Sequence, residues 1–221
     1  MDNGGCFKGN ISKRIVCMKT YQEMINLFES ANSAFLAQDK VLFVNQVSER
    51  TLCGALMLHF HDIITCNKKL AGYHADVEYN RNKGSIKTIR KTIKGPGLEI
   101  IPINCDLIVH SRGKILKQDN LIAIEMKKAT ATNACKEKDR ERLIALTKDS
   151  FDDIWSFDGK TLPEHVCRYV LGVYYEINYK RKSILIEYYR KGCMVESQSV
   201  DLCAVCRSAK LASASTVVRE I

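Results

Sequence analysis

The chain has 221 residues, 46% apolar and 27% charged, with a net charge of +9. That composition supports one sizeable core and excludes a disordered chain, and no apolar run reaches the roughly 18–20 residues of a membrane span. Met1 to Gly5 lacks the charged region and apolar core of a secretory signal. The ten cysteines, several inside apolar runs (Cys53, Cys105, Cys167), read as reduced thiols, so the expectation is a cytoplasmic protein that meets no membrane.

In chain order, Tyr21 to Ala37 carries Met24, Leu27, Phe28, Ala31 and Phe35 at helical spacing. A second helix is expected from about Val47 to Thr65, with Ser48 as its N-cap and Leu52, Leu56, Phe60 and Ile63 as its buried face. Asp76 to Arg81 reads as a short strand, followed by a Gly- and Lys-rich hairpin or loop. Ile101 to His110 is dense in β-branched residues and reads as one strand, and Leu121 to Lys127 as the next. A polar helix follows from about Asn133 to Thr147, carrying Leu143 and Leu146. Two strands, Val166–Asn178 and Ser183–Arg190, flank the basic turn Tyr179–Lys182, and the tail after Gly192 is weakly patterned. The order predicts an α/β fold, a mixed sheet with helices on its faces.

Lysine and arginine cluster at 81–94 and at 179–191, as solvated loops do and as a polyphosphate backbone also selects. The pair Cys203 and Cys206 lacks the second pair or histidines that a structural zinc would want. Trp155 is expected in the core.

Residues 105–127 carry the chemistry. Alternation places Asp106, Ile108 and His110 on one face of their strand, with Cys105, Leu107 and Val109 on the other. On the next strand Ala123, Glu125 and Lys127 share a face. A buried carboxylate costs several kcal/mol unless it is paired or bound to a metal. Two carboxylates and a lysine that converge would suit hard-cation binding, Mg²⁺ or Mn²⁺, beside a phosphoryl group. The tripeptide acidic-x-Lys recurs in Asp158-Gly-Lys160, so by itself it says little, and a hairpin with an ordinary ion pair at Glu125 is the plainer alternative. His110 reads as a hydrogen-bonded strand-end histidine, and Glu78 as a partner for Arg81 rather than a ligand.

The order Asp106, eighteen residues, Glu125-Met126-Lys127 resembles the PD-(D/E)XK nuclease superfamily. Five phrases between residues 45 and 180 resemble a widespread prokaryotic branch of it. They are Ser48-Glu49-Arg50, Val77 to Arg81, Cys105 to Gly113, Asn120 to Lys128 and Asp139 to Thr147. Cys105 stands where the family name expects proline. The resemblance implies a restriction-endonuclease-like core over 45–192, with 1–44 as a helical N-terminal extension and 193–221 as a tail packed on the core. It implies Asp106, Glu125, Glu49 and the Met126 carbonyl as metal ligands and Lys127 as the water-activating residue. Arg81, Arg112 and Lys128 are expected to contact nucleic acid, DNA rather than RNA. A homodimer or a targeting partner protein is expected as well. Two other readings stay open: a binding or assembly subunit without turnover, and a partner-activated antiviral effector nuclease.

Overall fold

The computed structural model describes residues 18–78, 105–149 and 167–203, and between 81 and 102 the backbone of four short strands. Helix α1 (Tyr21–Gln38) begins at a capping box. Thr20 accepts the Glu23 N–H, and the Glu23 carboxylate accepts the Thr20 N–H. The expected stripe of Met24, Leu27, Phe28, Ala31 and Phe35 is buried. A short helix, α2 (Lys40–Val44), leads to α3 (Glu49–Cys66), whose N-cap Ser48 accepts the Thr51 N–H. Leu52, Leu56 and Phe60 are buried there as expected, but Ile64 completes the face, because Ile63 sits at the margin of the packed stripe.

Strand β1 (His74–Val77) precedes two ribbons in the Gly- and Lys-rich stretch. One pairs β2 (Arg81–Asn82) with β3 (Ser85–Ile86), the other β4 (Thr88–Thr92) with β5 (Leu98–Pro102). The β-branched run read as one strand over 101–110 is thus two. β5 ends at Pro102 and β6 (Leu107–His110) begins after a bend at Asp106. Then come β7 (Asn120–Lys128), α4 (Asn133–Thr147), β8 (Leu171–Asn178), β9 (Ser183–Arg190) and β10 (Cys193–Asp201).

The main sheet has six strands in the order β1-β6-β7-β8-β9-β10. Only β7 and β8 are parallel, so the sheet is mixed. α1 and α3 pack on one face and α4 on the other. β7 is therefore buried on both sides, which explains its nearly unbroken apolar run. Ile122, Ile124 and Met126 join the larger core with α1 and α3, while Ala123 joins a smaller one with Ile108, Leu143 and Leu146. Each fully buried side chain of this size contributes roughly 1.5–3 kcal/mol.

Cys105 corrects the expected alternation. It lies before β6, and its side chain enters the smaller core beside Ile108, not the larger one with Leu107 and Val109. The segment read as a tail instead supplies β10, joined to β9 by a two-residue turn. Lys191 and Gly192 both have positive φ there, the geometry that matches strand twist. Helix α1, expected in an extension, packs into the core. Trp155 and Cys206 lie outside the described residues. Among the described residues no helix is long and apolar enough to cross a membrane.

Candidate active site where the central strand outruns its neighbour

β6 pairs with β7 only as far as Leu107 opposite Ile124, whereas β8 accompanies β7 to Lys128. Beyond Ile124 the edge of β7 facing β6 has lost its ladder. Two carboxylates replace it: Asp106 Oδ2 accepts the Met126 N–H at 2.8 Å, and Glu49 Oε1 accepts the Lys128 N–H at 2.6 Å. Asp106 reaches in from the bend before β6, and Glu49 from the first turn of α3. The N–H and C=O of a strand residue point to the same edge, so the Met126 carbonyl shares this gap.

Glu125 and Lys127 alternate to the face covered by α4. Glu125 is 1% exposed, and its Oε1 accepts from Arg142 Nη1 at 2.6 Å. Its Oε2 is buried with no hydrogen-bond partner among the described residues. Lys127 Nζ stands 3.0 Å from Asp139 Oδ2 and 3.7 Å from Glu49 Oε2. Arg142 Nη1 also reaches Asp139 Oδ1 at 3.3 Å. Glu49, Asp106, Glu125 and Asp139 set four negative charges against two positive ones, Lys127 and Arg142. The formal balance is −2.

Electrostatics follow from that crowding. Burial and then the Asp106 charge push the Glu125 carboxyl up to about 8, against the pull of Arg142. Burial also raises Asp106, although the Met126 N–H and the Lys127 charge hold it back. Burial alone would lower Lys127, but its bond to Asp139 and the Glu49 and Asp106 charges outweigh that and raise it. Lys127 is therefore a fixed cation and hydrogen-bond donor, not a proton acceptor.

Among the described residues no group of three or more His, Cys, Asp or Glu side chains is gathered to hold a metal ion as it stands. Lys127 and Arg142 bridge the carboxylates instead. The donor set nonetheless suits a hard divalent cation. It offers carboxylate oxygens, one of them buried and unbonded, and an excess of two negative charges.

Five residues singled out in the sequence thus come together: Asp106, Glu125, Lys127, Glu49 and Met126. Others lie apart. Arg112 makes a two-pronged bond to Asp76 at 2.8 and 2.5 Å, and His110 Nε2 meets the same carboxylate at 2.9 Å. Lys128 Nζ donates to the Gln46 carbonyl at 3.0 Å and lies over the Tyr179 ring. Glu78 pairs with Arg50, not Arg81, because at φ 48° it has left β1 and faces α3. The Arg81 side chain lies outside the described residues. Asp139 and Arg142 were not anticipated. Their signal was the spacing of Asp139, Arg142, Leu143 and Leu146, which puts all four on one face of α4. Compared with known protein families, curated proteins and solved structures, the chain matches none.

Proposed function

We propose that this chain is a metal-dependent nuclease with a restriction-endonuclease-like core, hydrolysing phosphodiester bonds of nucleic acid, DNA in preference to RNA. The observation that carries the reading is the Glu125 carboxylate, buried beside Asp106 with an unbonded oxygen in a cluster two negative charges in excess. A purely structural ion-pair cluster tends toward charge balance, and this one does not.

Asp106, Glu125 and the Met126 carbonyl would hold Mg²⁺ or Mn²⁺, with Glu49 at the margin. The bound cation would supply Lewis acidity toward the phosphate and lower the pKa of an attacking water. Lys127, kept protonated by Asp139 and Glu49, orients that water and offsets charge gathering on the phosphoryl oxygens. Asp106 and Glu49 have a second duty, to finish the hydrogen bonds of β7. The site is thereby anchored on the most deeply buried strand, which keeps its geometry stiff.

Calorimetric titration of the metal-free protein with Mn²⁺ tests the reading before any substrate is chosen. One site that is lost in Asp106→Asn supports it. No heat above dilution in the wild type, or unchanged binding in Asp106→Asn, counts against it.

A further inference from the structure

A cavity of about 420 Å³ lies at the opposite end of the sheet, between the start of β7, the end of α4 and the start of α1. Asn120 lines it and opens β7, so at roughly 3.3 Å per strand residue it stands roughly 20 Å from Glu125 and Lys127. It has no part in the carboxylate cluster.

Its charge is the reverse of that cluster. Lys19, Lys117, Arg168, Arg190 and Lys191 line it, against Asp119 and Asp149. Asp119 is spent internally, accepting from the Ser111 N–H, the Ser111 hydroxyl and the Gly113 N–H. Asp149 pairs with Lys191 at 2.9 Å. Arg190 makes no ion pair among the described residues and lies flat over the Tyr21 ring, 4.9 Å from its centre. That stacking holds a guanidinium at the cavity with its donors uncommitted.

The floor carries two neutral polar atoms without a hydrogen-bond partner among the described residues. They are Asn120 Oδ1, on a residue 2% exposed, and the Tyr21 hydroxyl. The Asn120 amide is oriented by donating Nδ2–H to the Cys167 carbonyl at 2.7 Å, so it is the oxygen that looks elsewhere. A buried acceptor left unpaired costs about 1–3 kcal/mol, a cost that a ligand N–H would relieve. The volume suits a small organic ligand rather than a bare anion.

We infer that this cavity binds a nucleoside phosphate, its phosphate on Arg190 and Lys117 and an amino group of its base donating to Asn120 Oδ1. The same chemistry is offered by a free mononucleotide and by the 5′-phosphorylated end of a strand.

The test is calorimetry on the full chain in EDTA. Inorganic phosphate, adenosine and inosine 5′-monophosphates and a 5′-phosphorylated trinucleotide are titrated in turn. One site is expected, tighter for the adenosine compound than for inorganic phosphate or for inosine, which lacks the amino group. Arg190→Ala and Lys117→Ala, both exposed, should each weaken it by about tenfold, and Tyr21→Phe by a smaller factor. Preference for the mononucleotide assigns a free ligand, and preference for the trinucleotide a strand end. No binding, equal binding of phosphate and nucleotide, or full affinity in Arg190→Ala with Lys117→Ala would overturn the assignment.

Discussion

Glu125 has one oxygen on Arg142 and the other unbonded, so its charged form is poorly supported where it stands. Its pKa rises from an ordinary 4.5 to about 8. Between those values the unfolded chain has released the proton and the folded chain keeps it, so this residue makes stability fall as pH rises through the window. Glu125→Gln removes the ionisation. Its unfolding temperature should fall less than that of the wild type from about pH 5 to about pH 8, and thermal scans across that range check it. Asp76 has the opposite sign. Burial would raise it, but the bonds from His110 and Arg112 win and hold it well below the usual carboxylate range. Its contribution is present above the ordinary carboxylate pKa and is lost as pH falls through the depressed value. Arg142 competes with any cation for Glu125, so Arg142→Gln should bind Mg²⁺ more tightly, by roughly 3- to 10-fold in calorimetry at a pH above 8. Equal or weaker binding would remove Arg142 from that role.

At the scale of elements, the end of β7 depends on side chains for what a neighbouring strand would otherwise give. Asp106→Asn keeps an oxygen for the Met126 N–H and should cost little stability, whereas Asp106→Ala strands that N–H and should cost about 1–3 kcal/mol in denaturant unfolding. Similar losses in both variants would mean that the charge, not the hydrogen bond, holds the strand end. α4 is seated by apolar contacts at one end and ion pairs along the rest. Leu143 and Leu146 are buried, and Lys136–Glu176, Arg140–Glu187 and Lys127–Asp139 follow its polar turns. Gly172 allows that close approach, since a Cβ there would meet Thr147 Cγ2 at 2.9 Å and Tyr189 Cβ at 3.0 Å. Gly172→Ala should therefore lift α4 and destabilise the fold by about 1–3 kcal/mol, again read by denaturant unfolding.

Much of this was legible in the residues themselves. The stripes of α1 and α3 and the unbroken apolar run of β7 announce their elements, and Glu125 inside that run announces something unusual. The break before β6 was hidden because the β-branched residues on either side of it read as one strand. α4 hid its contribution differently. In a helix as polar as Asn133 to Arg142, Asp139 and Arg142 look like two more solvated charges until the face of β7 beneath them is known. β10 left no signature because most of it is exposed, so no inside–outside alternation marks it.

For the whole molecule, the six-stranded sheet separates two regions of opposite charge. One end of β7 gathers four carboxylates, and the other opens into a basic cavity. The net charge of +9 favours a polyanion throughout. Binding to duplex DNA in EDTA should weaken steeply with salt, with the slope of log affinity against log salt growing by about 0.9 for each phosphate neutralised. A flat dependence, measured by fluorescence anisotropy, would exclude a backbone-binding surface. The most direct measurement is cleavage itself. Supercoiled plasmid, linear duplex and single-stranded DNA and RNA are incubated with wild type, Glu125→Ala and Lys127→Ala, in Mg²⁺, Mn²⁺ or EDTA. The account predicts cutting by the wild type with either metal, none in EDTA, and none by either variant. Cutting that survives in both variants, or an intact substrate panel beside a protein that binds no metal, would contradict it.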